Sequence, residues 1–163
     1  MVELGMFQDE RVELIRGVLV KMPPQLPPHA STVQKLTRLL IERLQDRFSL
    51  RSQSPLALSD DSEPEPDFAV VALGNYEAQH PSTALLVIEV ADTATLKKDR
   101  AKAAVYASSG IGEYWIVNLD ARAVEVYSSP DGDRYAEGRR LRVGETVQLV
   151  DVTIAVAEIL PKV

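Results

Sequence analysis

Two carboxylates sit in places where a charge is expensive. Asp67 stands immediately before the apolar run Phe68–Ala72, and Glu89 lies inside Ala84–Val90, which reads ALLVIEV. Runs of this length, bounded by Pro, Gly and Ser, read as buried strands. A carboxylate embedded in such a run needs a partner: a lysine, a second acid or a metal ion. If the two runs are neighbouring strands, both acids meet at one end of a sheet. A helix pattern begins at that same end and carries Lys102. Two hard oxygen donors plus a strand-end carbonyl suit Mg²⁺, which takes one or two carboxylates and fills its other positions with water and substrate phosphate. Such an ion turns a bound water into a nucleophile and polarises a phosphoryl group. A lysine beside it can balance charge in the transition state or orient the water. The same residues also have plainer readings. Asp67 follows Pro66 and could be a turn acid. Glu89 and Lys102 could form a structural ion pair, and a helical lysine often does no more than solvate an exposed face.

The composition narrows the chemistry. There is no cysteine among the 163 residues, so disulfides, thiolate metal sites and thiol catalysis are excluded. Only two histidines are present, His29 and His80, and they do not cluster in sequence. A hard-metal site is therefore the metal site that fits. The net charge of −6 means that any basic surface for nucleic acid must be local. Lys97, Lys98, Arg100 and Lys102 form one basic run, and Arg134, Arg139, Arg140 and Arg142 another. No apolar run approaches the ~20 residues of a membrane span. The N-terminal MVELGMFQDERVELI lacks the basic flank and apolar centre of a signal peptide. The default expectation is one cytoplasmic domain over residues 1–163.

The elements that would position these groups follow from periodicity. Glu13–Lys21 reads as a hairpin turning at Arg16-Gly17. The proline-rich MPPQLPPHAS reads as a stiff connector ending at His29, with Ser31 capping an amphipathic helix from about Ala30 to Arg47. Phe48–Gln53 and Pro55–Leu58 read as one kinked strand or two short ones. Ser59–Pro66 is acidic and proline-rich: a loop tip or the rim of a site. Ala84–Val90 lacks alternation, which predicts burial on both faces and a central place in the sheet. Thr93 or Thr95 would cap a helix running to about Ser109 and stopping at Gly110. Glu113–Asn118, Ala123–Tyr127, Arg134–Glu137 and Val147–Val150 read as further strands, with a turn at Asp131-Gly132. Ile154–Leu160 reads as a strand end plus one helical turn. One strand–helix–strand crossover at the centre predicts a parallel pair within an otherwise antiparallel α+β sheet. Tyr114 and Trp115 read as core packing rather than base stacking, Glu63 as a solvated acid, Glu65 as solvated or as touching the outer shell of the metal, and His80 as a plain loop residue.

An Asp preceded by Pro at a strand start, followed by a strand ending in an acid, is the skeleton of the PD-(D/E)XK nuclease superfamily. More narrowly, VELIRGVLVKM, PPH before a long helix, EPDFAVV, LLVIEVAD and KAAVYASSGIGEYWIVNLDARAVEVY resemble, in order, the blocks of the Uma-type (Uma two) family of restriction-endonuclease-like proteins. The resemblance is strongest over residues 11–128. It implies a restriction-endonuclease-like mixed twisted β-sheet flanked by helices, with an N-terminal hairpin. It implies a Mg²⁺- or Mn²⁺-dependent endonuclease that hydrolyses DNA, acting as a homodimer. Asp67 and Glu89 match the metal-binding acids, and the carbonyl of Val90 would be the third protein ligand. Glu13 matches an acid near the site, His29 a histidine that accompanies it, and Lys102 the family's lysine, four residues before Tyr106. One departure is plain. In the broad superfamily the lysine stands two residues after the second acid, and here that position is Ala91. Lys102 must serve from the following helix, with Lys97 or Lys98 as competitors. Two rival readings remain beside this one: a nuclease-fold binding module without activity, and an acidic protein-interaction partner presenting Glu63, Glu65 and Asp67.

Overall fold

Strands buried along their whole length need cover on both faces, and two of them set the architecture. The computed structural model describes residues 10–163. In it, β1 (Val12–Ile15) and β2 (Val18–Lys21) form a separate hairpin. The main sheet contains β3 (Ser49–Ser52), β4 (Phe68–Val71), β5 (Leu86–Ala91), β6 (Glu113–Asn118), β7 (Ala123–Asp131) and β8 (Arg134–Arg142), side by side in that order. Every residue of β4 and β5 is buried. β5 and β6 are parallel, as the crossover requires, and every other neighbouring pair is antiparallel. A second hairpin, β9 (Thr146–Leu149) and β10 (Val152–Ala155), leads into a single helical turn, α3 (Val156–Ile159).

The period-2 alternation of β5 sorts the core into two halves. Leu86, Ile88 and Val90 face a cluster containing Val33, Leu36, Leu40 and Leu44 of the long helix α1 (Pro27–Leu44). Val87 and Ala91 face a second cluster with Tyr106 of helix α2 (Leu96–Ser108) and Tyr114 of β6. Glu89 shares the parity of Val87 and Ala91, so it points to the α2 side. Trp115 and Tyr114 are core residues on opposite faces, as expected.

Three local expectations are corrected. The helix α1 starts at Pro27, with Leu26 rather than Ser31 in the cap position. Its two prolines occupy the first positions, where an N–H has no intrahelical acceptor to lose, so the proline-rich stretch is half connector and half helix. Its regular part ends at Leu44, before a 3₁₀ turn over Gln45–Arg47. Pro55–Leu58 is not a strand: Gln53 has a positive φ of 49°. Leu56 and Ala57 then spend their N–H groups on the loop carbonyls of Pro64 and Pro81. The start of α2 is held by Asp92, whose Oδ1 accepts the N–H groups of Ala94 and Thr95 at 2.9 and 3.1 Å; the Thr95 side chain makes no capping bond. Among the described residues no helix is long and apolar enough to cross a membrane.

Candidate functional site

The register of the central strands brings the two acids together. Phe68 pairs with Ile88 in the antiparallel β4–β5 ladder, so Asp67, one step before β4, lies across from Glu89. Each carboxylate then bonds the other strand's backbone. Glu89 Oε2 accepts the Asp67 N–H at 3.3 Å, and Asp67 Oδ2 accepts the Val90 N–H at 2.8 Å. His29, in the first turn of α1, places Nε2 3.1 Å from the same Asp67 oxygen. Asp67 Oδ1 has no hydrogen-bond partner among the described residues.

Helix α2 covers Glu89 from above. Lys102 donates to Glu89 Oε1, and Tyr106 donates to the same oxygen at 3.2 Å. Lys102 also donates to Glu13 Oε2 at 3.0 Å, bridging the hairpin to the sheet. Glu13 reaches the site because the β1–β2 hairpin is laced to the acidic loop. Leu14 and Glu63 exchange backbone bonds, Gly17 donates to the Asp61 carbonyl, and the Glu65 N–H donates to Glu13 Oε2. The turn that makes this hairpin tight uses Arg16 at φ 47° and Gly17 at φ 79°, the two positive φ values that a two-residue turn demands. Lys98 Nζ stands 3.6 Å from Glu13 Oε1, which is buried without a hydrogen bond. Arg11 pairs with Glu65 at the rim at 2.9 Å.

These groups line one cavity of about 240 Å³, into which Asp67, Glu89, Val90, Glu13, His29 and Lys102 all open. Thus every residue singled out from the sequence for this site lies on one pocket. Of the competing lysines, Lys98 is there too, whereas Lys97 lines a different groove. Glu63 stays exposed, and His80 bonds Arg51 at the surface.

The electrostatics follow from burial and pairing. Burial raises the Glu89 carboxyl above the usual carboxylate range, and the ammonium of Lys102 works against that shift. For Lys102 itself, burial disfavours the charge, but Glu89 and Glu13 outweigh it and hold the amine protonated. For Glu13, burial pushes upward and is overcome by Lys102, the Glu65 N–H and Lys98, so its carboxyl lies below the usual value. Burial lowers His29, but its bond to Asp67 and the nearby negative charge raise it overall.

Sequence reasoning passed over Asp99, which is 3% exposed and lines the same pocket. Burial pushes its carboxyl up to about 6. The signal was available: Asp99, Lys102 and Tyr106 are spaced three and four apart, one face of a helix. It also passed over Glu125, a buried acid in AVEVY that repeats the oddity of Glu89 in VIEVA.

Among the described residues no three histidine, aspartate or glutamate side chains converge as a ready-made metal cage. The donor set nonetheless fits a hard divalent cation. Two adjacent carboxylates, one with an oxygen unbonded, open onto a pocket that Val90 also lines. Mg²⁺ usually takes no more than one or two carboxylates from the protein.

The profile of the Uma2 family, described as "Putative restriction endonuclease", matches residues 2–157. The fold is similar to that of a crystal structure described as "a putative nuclease belonging to DUF820 from Anabaena variabilis", with a TM-score of 0.78 and 13% identity. The match covers 96% of this chain and 94% of that one. A weaker likeness, TM-score 0.43 at 15% identity, covers 80% of this chain and 14% of the type IIG restriction endonuclease BpuSI. No curated protein matches the sequence.

Proposed function

The chain belongs to the Uma2 family, a nuclease family of restriction-endonuclease-like fold, and from that premise we propose that it is a Mg²⁺- or Mn²⁺-dependent endonuclease that hydrolyses DNA phosphodiester bonds. The observation that carries the reading is the pairing of Asp67 and Glu89 on one pocket wall, beneath the ammonium of Lys102. Asp67, Glu89 and the Val90 carbonyl would hold the cation. When bound, it would supply a nucleophilic water and polarise the phosphoryl oxygen.

The remaining work falls to the chain's own groups. Lys102 keeps a positive charge at the pocket floor, fixed from two sides by Glu13 and Glu89. There it balances negative charge as it builds on the phosphoryl oxygens. His29 orients Asp67 through Oδ2, and Oδ1 carries no hydrogen bond among the described residues. Lys98 and Arg11 at the rim give an anionic substrate its first cationic contacts. The same reading takes the chain as one domain, acting in the cytoplasm as a homodimer, which sedimentation equilibrium would read.

A metal titration tests it. Mn²⁺ should raise the melting temperature, because a ligand held only by the folded state stabilises that state. Plasmid DNA should be cut in its presence, and Asp67→Ala should remove both effects. If neither ion shifts melting and Asp67→Ala changes nothing, the reading fails. One observation favours a second reading, an inactive nuclease-fold binding module. The usual lysine position is Ala91, and the substitute Lys102 is already engaged by two acids. A metal-dependent melting shift and DNA binding without any cleavage would select it.

A further inference from the structure

The second buried acid has no part in the chemistry above. Glu125 of β7 is in register with Ile116 of β6 on one side and Arg140 of β8 on the other, and Ile116 pairs with Glu89. One transverse row of the sheet therefore runs Glu89, Ile116, Glu125, Arg140, with both acids on the α2 side. At a strand spacing of ~4.8 Å the backbones of the two acids are roughly 10 Å apart.

Glu125 is 5% exposed, and its bonds are complete. Asn118 Nδ2 donates at 3.0 Å, the Tyr127 hydroxyl at 2.7 Å, and Arg100 Nε and Nη2 at 3.0 and 2.9 Å. Arg140 stands 3.9 Å away. Both arginine side chains remain 44% exposed. The acid thus fixes a guanidinium at the surface rather than joining two core elements. Its fork takes one edge of Arg100, and the Nη1 edge makes no bond among the described residues. A pre-oriented guanidinium of this kind suits a phosphate, since little side-chain freedom is left to lose on binding.

Arg100 and Arg140 line an open groove together with Lys97, Thr93, Asn118 and Asp120. Asp120 is engaged by the Thr93 hydroxyl at 2.5 Å. Three cations against two carboxylates make a net positive groove on a chain of net charge −6. The start of α2 is the ridge between groove and pocket: Lys98, Asp99 and Lys102 face the pocket, while Lys97 and Arg100 face the groove. Both depressions lie at the C-terminal ends of the parallel pair, where Ala91 is in register with Asn118.

We propose that this groove holds the phosphodiester backbone of the substrate strand, about three nucleotides from the bond that is cut, at ~3.4 Å of helix axis per nucleotide. The proposal rests on the nuclease reading for its geometry and goes beyond it in naming where the flanking strand lies. Lys97 and Arg140 contact phosphate, and Glu125 is a positioning residue acting through Arg100.

The test is a binding titration of a short labelled DNA duplex in EDTA over a range of salt, run beside a plasmid-cleavage assay in Mn²⁺. Lys97→Ala/Arg140→Ala should reduce the slope of log affinity against log salt by about 2, because each phosphate left without its cation takes ~0.9 from it. Its melting temperature should stay at the parent value, since both residues are exposed. Arg100→Lys keeps the charge and loses the fork; it should weaken binding while holding the slope. A slope and affinity unchanged in the double variant would overturn the groove, and continued cleavage there would leave the nuclease reading standing. A reduced slope in a protein that never cuts would sink the nuclease reading and with it the distance from a cut bond, and keep the groove as a site for the DNA backbone. A parent that binds no duplex in a salt-dependent way overturns the groove outright.

Discussion

Lys102 is the residue on which the candidate site balances. Lys102 is 3% exposed, and its ammonium satisfies two carboxylates at once. Removing one partner of a buried ion pair strands the other, at about 3–5 kcal/mol. Lys102→Met should therefore cost stability of that order in urea denaturation. Adding Glu13→Gln and Glu89→Gln should restore much of it, because no uncompensated charge is then left inside. A loss under ~1 kcal/mol for the single change would mean that the pair is not buried as described. Asp99 gives a pH signature. Burial moves its carboxyl from 3.8 up to about 6, so between those values the folded chain holds a proton that the unfolded chain has released. Stability then falls as pH rises through that window. Asp99→Asn should flatten the window, gaining about 2 kcal/mol on the parent between pH 4 and pH 7 in metal-free buffer, at 1.36 kcal/mol per pH unit. Parallel profiles for the two proteins would refute it.

Elements differ in how far their sequence announces them. β5 is legible because apolar residues at both parities leave no choice but a central strand, and α1 because Val33, Leu36, Leu40 and Leu44 keep helical spacing. The start of α1 is misread when proline is weighed only as a breaker; at the first two positions of a helix it breaks nothing. Within the site, Asp67 and Glu89 are readable from their neighbours. Asp99 and Glu125 carry a weaker signal, a shared helix face with Lys102 and an acid within an apolar strand, and their burial depends on which helix or strand covers them. The β1–β2 hairpin is legible in itself, but its purpose is tertiary: it carries Glu13 across to Lys102. Gly17, at φ 79° with open space around it, is the residue that lets it turn. A side chain with a Cβ in that conformation costs roughly 1–2 kcal/mol. Gly17→Val should speed amide exchange at Leu14 and Glu63, the two residues that lace the hairpin to the loop, while the amides of β5 and β6 keep their protection. Unchanged exchange at Leu14 would show that the hairpin is held by something other than its turn.

At the scale of the whole molecule, the two core halves divide their duties. The α1 side holds α1, α3 and the β9–β10 hairpin against the sheet, and the α2 side carries the polar site. Leu40 is fully buried in the first half. Leu40→Ala should cost about 2–5 kcal/mol of global stability through the cavity it leaves, read as a lower urea midpoint. Mn²⁺ affinity measured well below that midpoint should hold, and a parallel fall in affinity would mean that the halves are not separable. The bridge from Glu13 to Lys102 spans 89 positions of chain. During synthesis the chain emerges from its N-terminus, at roughly 5–20 residues per second. A growing chain that has exposed everything up to Arg100 already carries all three carboxylates, Glu13, Asp67 and Glu89, but lacks the ammonium that makes burying two of them tolerable. The hairpin cannot seat, and the crossover cannot close, until α2 has left the ribosome. The polar pocket of this chain thus waits for a residue made long after its first acid, and closes in mid-synthesis rather than as its hairpin appears.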